Sequence, residues 1–198
     1  AYYNVAQMIG STGIVRASQT KQKLVPFGEY LPGEESFPFL RDWLPNARRY
    51  LPGSELNLLP LSEGSSILAA ICYEIGFESI LKQALESRVR VVWNPVNDGW
   101  FPSSMAAWHR ALAQFSSVEI GLPLIRVSNS GYTVISDARG VVLQNGEWDQ
   151  SIAKTVKIPV PEQAGPWLHI AEIAHWVLLG WILLDVGLGL LLRRSQED

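Results

Sequence analysis

Apolar positions along the chain fall into short runs separated by Gly- and Pro-rich punctuation. Val5–Ile9 and Gly13–Ala17 read as strands around a Gly-Ser-Thr-Gly turn, and Leu56–Leu61 as a further short strand. Ser66–Ile71 and Val89–Trp93 are nearly continuous apolar runs, the pattern of strands buried on both faces. Ser79–Ser87 spaces Ile80, Leu81, Ala84 and Leu85 along one helical face, Ser104–Ile120 reads as a longer helix, and a short one is expected at Leu40–Leu44. Leu124–Ser128, Tyr132–Asp137, Val141–Asn145 and Ser151–Pro159 read as strands, with a hairpin turn at Ala138-Arg139-Gly140. Lys21–Pro32 reads as a loop, and Asn94–Pro102 as a polar turn. Strands alternating with helices predict a layered α/β domain over residues 1–165.

Residues 166–172 read as a linker, and 173–192 carry only His175 and Asp185 as strongly polar residues. Twenty helical residues span roughly 30 Å, the thickness of a bilayer core. Trp167, Trp176 and Trp181 gather towards one end and Arg193-Arg194 close the other, so the pattern predicts a transmembrane helix. Its tail, 193–198, is then cytoplasmic and residues 1–165 lie on the outer face. The competing reading is a buried helix of a soluble domain. It draws on Asp185, since a carboxylate at mid-membrane costs about 2.5–3.5 kcal/mol on the insertion scale.

A net charge of −3 with no basic block excludes an electrostatic footprint for nucleic acid. A single cysteine excludes an intramolecular disulfide framework and a cysteine-based metal site. His109, His169 and His175 show no zinc-like spacing. Ala1–Val5 lacks the charged start and apolar core of a signal peptide, so the chain is expected to begin within a fold.

That one cysteine, Cys72, ends the run Ile67–Ile71 and is followed by Tyr73 and Glu74. A strand that stops in a thiol, a phenol and a carboxylate can present a nucleophile at a sheet edge. The thiolate form needs a nearby base or positive charge. A lone cysteine on an apolar strand is otherwise an inert buried residue. Three further motifs accompany it. One is Lys21-Gln22-Lys23-Leu24-Val25-Pro26-Phe27-Gly28-Glu29-Tyr30-Leu31-Pro32. Another is Asn94-Pro95-Val96-Asn97-Asp98-Gly99-Trp100-Phe101. The last is Arg126-Val127-Ser128-Asn129-Ser130-Gly131, with Trp108-His109 and Glu119 on the preceding helix.

This ordered set resembles the nitrilase, or carbon–nitrogen hydrolase, superfamily, and within it most closely the apolipoprotein N-acyltransferase family. The resemblance implies an α-β-β-α sandwich, here partial, with a Glu–Lys–Cys site and neither metal nor cofactor. It implies Cys72 as the nucleophile that holds an acyl group as a thioester. Lys21 is implied as the triad lysine, with Lys23 the competing choice, and Glu29 as a supporting glutamate. Tyr73, Glu74, Trp100 and Phe101 would shape the substrate pocket, with ordinary core packing the alternative for Trp100 and Phe101. Asn4 matches a polar family position. The implied reaction moves a fatty acyl chain from phospholipid to the amino terminus of a lipoprotein at the bacterial inner membrane, with the domain on the periplasmic face.

The chain departs from that family in three places. The family's general-base glutamate lies upstream of the lysine, yet residues 1–20 contain no acid. A whole sandwich needs roughly a hundred residues more than these 165. Gln114 and Ser116 stand where the family usually carries arginines, and Pro95 is unusual in its motif. The readings that follow are a portion of a longer enzyme, a split enzyme whose partner supplies the glutamate, or a non-catalytic membrane-tethered module. A soluble amidase is the remaining alternative.

Overall fold

β4 (Ser66–Ala69), β5 (Val89–Asn97) and β6 (Leu124–Asn129) lie parallel at the centre of a six-stranded sheet in the computed structural model of the chain. The structure describes residues 2–61, 64–85, 87–162, 164–165 and 167–194. β3 (Leu59–Pro60) flanks β4, and β7 (Thr133–Ser136) and β8 (Val142–Gly146) extend the far side, all antiparallel. Helices α2 (Glu78–Leu85) and α3 (Ser103–Ile120) connect the parallel strands. This is the alternation that the apolar runs predict, and the burial of Leu68, Ala69, Val89, Val91, Val92 and Leu124 explains their lack of polar positions.

β1 (Val5–Ile9) and β2 (Val15–Thr20) form a separate antiparallel pair. Ala6 packs with Leu59 and Ala69, joined by Met8, Ala17, Ile67, Ile71 and Trp93. Alternate side chains of a strand point to opposite faces. Trp93 therefore meets the β1–β2 pair, whereas Asn94 and its register partner Arg126 face α3. Helices cover one face and a small second sheet the other, which gives three layers of the expected α/β sandwich. A short helix, α1 (Leu40–Trp43), sits in the long connection between β2 and β3.

Several boundaries differ from the sequence pattern. β2 begins at Val15 and runs to Thr20, which carries the strand up to Lys21. β5 continues through Asn97 rather than turning at Asn94. Pro95 is tolerated there because β4 has already ended: the last β4–β5 pair is Ala69–Trp93, and Ala70 N donates to Trp93 O at 2.9 Å. Pro95 faces the same side as Trp93, where no partner strand asks for its missing N–H. Ser151–Pro159 alternates like a strand but joins no ladder and is mostly exposed. Residues 167–172, expected as linker, already belong to helix α4 (Trp167–Arg194).

The chain divides into two compact units, Ala1–Ala164 and Gly165–Asp198. Within the second, α4 includes the apolar stretch 173–192. Among the described residues, however, no helix is long and apolar enough to cross a membrane. Ile173, Trp176, Val177, Leu178, Trp181, Leu183 and Leu184 are all exposed.

Candidate active site

The loop after β2 is tied down at both ends of its first residue. Lys21 N donates to Asn4 O at 2.8 Å, and Gly53 N donates to Lys21 O at 2.8 Å. Gly53 allows this approach, since a Cβ there would stand 2.8 Å from Thr20 O. The Lys21 side chain is 1% exposed, and its Nζ donates to Glu29 Oε1 at 2.9 Å. Asn4 Nδ2 donates to the same oxygen at 2.5 Å, and Val25 N donates to Glu29 Oε2 at 2.8 Å. A buried ammonium needs such a partner, because desolvation without one is prohibitive. The same Nζ lies 5.2 Å from the centre of the Tyr73 ring. Lys23 instead sits over Phe77, at 5.8 Å.

Cys72 opens a 3-10 turn, Cys72–Gly76, at the carboxyl end of β4. Its φ is +58°, in the left-handed region that side chains with a Cβ rarely occupy. The turn is pinned from several directions. Glu74 accepts from Ile71 N at 2.9 Å within the turn, and from Gln22 N at 2.5 Å and Lys23 N at 2.9 Å in the lysine loop. Tyr73 OH donates to Leu24 O at 2.6 Å. The two residues after the cysteine therefore hold the loop that carries Lys21. Burial pushes the Cys72 thiol up, the Lys21 charge pulls it down, and the charges of Asp98 and Glu29 add to the rise. Burial also pushes Tyr73 up to about 12 and raises Glu74 against its three N–H donors.

On the helix side, Asp98 follows β5 and is fully buried with Arg126. Arg126 Nη2 donates to Asp98 Oδ2 at 2.7 Å, Ser128 Oγ to the same oxygen at 2.9 Å, and His109 Nδ1 to Oδ1 at 3.0 Å. Burial alone would raise the Asp98 carboxyl, but His109 and Arg126 outweigh it and hold it low. Gly131 closes over this group, for a Cβ there would lie 2.3 Å from Ser128 Oγ and 2.5 Å from Asp98 Oδ2.

Of the residues singled out in the sequence, Lys21, Glu29, Cys72, Tyr73 and Glu74 come together. Glu74 is a buried backbone clamp rather than a pocket wall. Trp100 and Phe101 are exposed, so neither is core, and Trp100 stacks under Arg48 at 4.7 Å. An open cavity of about 870 Å³ borders Tyr73, lined by Leu24, Leu31, Leu51 and Phe77 and by charged Lys23, Glu34, Glu35 and Arg49. The Asn94–Asp98–Arg126 group lay within the sequence motifs without a role. Its signal was polar residues placed at the end of a fully buried strand.

With a cysteine turn at the end of a parallel strand and a buried Lys–Glu pair whose charges act on it, the sequence also matches the profile of the carbon–nitrogen hydrolase family over residues 1–161. The chain belongs to the carbon–nitrogen hydrolase family. Among carbon–nitrogen hydrolase relatives, it is 33% identical to an apolipoprotein N-acyltransferase of Geobacter metallireducens over 140 residues, covering 70% of this chain and 27% of that protein. It is 31% identical to that of Haemophilus influenzae over 180 residues, covering 89% of this chain and 34% of that protein. The chain thus spans about a quarter to a third of the length of these relatives. An amidase from Nesterenkonia sp. shares the fold, with a TM-score of 0.56 at 18% identity, covering 86% of this chain and 59% of that one.

Proposed function

We propose that this chain is the cysteine-bearing portion of a lipoprotein N-acyltransferase. Cys72 takes a fatty acyl group from phospholipid and passes it to the amino terminus of a lipoprotein. The observation that carries the reading is the Cys72 turn, locked by Glu74 to the loop whose buried Lys21 opposes the rise that burial imposes on the thiol. The thiolate attacks the ester carbonyl, a C–S bond forms, the bond from the acyl carbon to the glycerol oxygen breaks, and that leaving oxygen takes a proton. The acceptor amine then attacks the thioester, a C–N bond forms, and the thiolate is released as the amine gives up a proton. Lys21 faces the oxyanion of both tetrahedral intermediates. The apolar part of the cavity, formed by Leu24, Leu31, Leu51 and Phe77 beside the charged Lys23, Glu34, Glu35 and Arg49, has room for a hydrocarbon chain.

The exposed apolar side chains of α4 support association of the chain with the inner membrane, where the acyl donor resides. A second reading is favoured by one observation. Glu29 and Glu74 are both committed to N–H donors, and burial pushes the thiol up. A base from an upstream segment or a partner chain would then complete the site, or the chain acts as a non-catalytic module.

Intact mass spectrometry of the detergent-solubilised chain after incubation with phospholipid tests the proposal, comparing wild type with Cys72→Ala. A fatty-acyl mass on wild type only, removed by hydroxylamine, supports it. Its absence favours the second reading.

A further inference from the structure

Asn94 is fully buried on β5, directly behind the nucleophile turn. Its Nδ2 donates to Ala70 O at 2.6 Å and to Cys72 O at 2.8 Å. One amide group therefore grips the carbonyl two residues before the nucleophile and the nucleophile's own. Those carbonyls flank the sharp change of direction in which Cys72 adopts φ +58°. The grip is possible because β4 stops at Ala69 while β5 runs on, which leaves Asn94 level with the turn.

The amide has only one useful orientation. Arg126 Nη1 donates to Asn94 Oδ1 at 2.6 Å, so rotating the amide would set two donors against each other. Arg126 is in turn fixed by Asp98, and Asp98 by His109 and Ser128. A buried guanidinium forks to two acceptors in a rigid plane, which a lysine could not reproduce. The line Asp98–Arg126–Asn94 thus ends on the backbone of Cys72.

We infer that Asn94, oriented by Arg126, is a positioning residue that holds the Cys72 turn so that the thiol stays within the field of Lys21. The inference rests on the reading of Cys72 as the nucleophile. The alternative is that the group only satisfies buried polar atoms of the core. The two differ in what they predict for the folded protein. A purely structural group changes stability alone. A positioning group changes where the thiol sits among its charged neighbours Lys21, Glu29, Asp98 and Arg126.

The experiment uses the full chain in detergent, as wild type, Asn94→Ala and Arg126→Lys, with circular dichroism to establish the folded fraction. Two readouts are taken on Cys72 by intact mass: the pH midpoint of iodoacetamide alkylation, and single-turnover acylation by p-nitrophenyl butyrate. A turn that drifts from Lys21 raises the alkylation midpoint by about one pH unit and slows acylation at least about tenfold. Arg126→Lys keeps the charge, loses the fork, and should move both readouts the same way by less. If the folded variants keep the wild-type midpoint and rate, the inference is overturned. If Asn94→Ala does not fold, Arg126→Lys decides alone. If wild type is never acylated, the nucleophile reading fails, while the alkylation midpoints still decide whether Asn94 positions the thiol.

Discussion

Glu74 Oε1 accepts the backbone N–H of Lys23 at 2.9 Å, across fifty-one residues of sequence. With Gln22 N on the same oxygen and Ile71 N on the other, this carboxylate staples the lysine loop to the cysteine turn. Glu74→Gln places an NH₂ group against one set of these donors. The expected loss is about 2 kcal/mol of stability, the scale of hydrogen bonds to a buried charge, read as a lower denaturant midpoint.

Lys21 is the positive charge that opposes the burial of the Cys72 thiol. Lys21→Met should move the pH midpoint of Cys72 alkylation upward, with the rate at pH 7 falling roughly tenfold for each unit. An unmoved midpoint would mean that the ammonium does not act on the thiol.

Glu29 is the ion-pair partner of that lysine, and Lys21 is almost wholly buried. Glu29→Gln strands the charge, and a loss of about 3 kcal/mol follows. Removing both charges with Lys21→Met and Glu29→Gln should recover part of it. Urea unfolding of the single and double variants checks this.

Asp98 contributes to the pH dependence, as do Glu34 and Asp137, whose carboxyls are also held low. The Asp98 carboxyl lies below the ordinary value of 3.8, held there by His109 and Arg126 against burial. The unfolded chain therefore binds this proton more readily than the folded one. The stabilisation is present above about pH 4 and is lost as the pH falls through 3.8 towards the folded value. Glu74, raised by burial, works the other way. The measurement is thus the slope of the denaturant midpoint between wild type and Asp98→Asn, which should flatten at low pH in the variant.

α4 should carry the chain to lipid. Leu183 is exposed at mid-helix, and Leu183→Arg puts a charge in the middle of this apolar surface. Flotation with phospholipid vesicles should retain the wild type and lose much of the variant. Equal flotation of both would count against α4 as the surface that meets lipid.

The parallel core was legible because strands buried on both faces read as unbroken apolar runs, and the end of one at Cys72 marked the turn. Residues 151–159 misled because Ile152, Val156 and Ile158 space themselves like a strand, whereas a strand exists only against a partner. The end of β5 was hidden for the opposite reason. Asn94, Pro95 and Asn97 look like turn chemistry, and only the early end of β4 makes room for them. The role of Glu74 could not be read from spacing, since its donors lie near residue 22. Lys21 and Glu29, eight residues apart in one loop, were within reach of local inspection.

The backbone at Cys72 also selects which elements of chemistry this position can host. At φ +58° a side chain branched at Cβ meets its own main chain. Threonine, a nucleophile in other settings, is barred by shape before reactivity is considered, and so are valine and isoleucine. Serine fits the same bend. An attempt to convert the site from sulfur to oxygen chemistry therefore has a single natural entry, and a library at this codon should yield folded protein with Ser, Ala, Gly or Asn but not with branched residues.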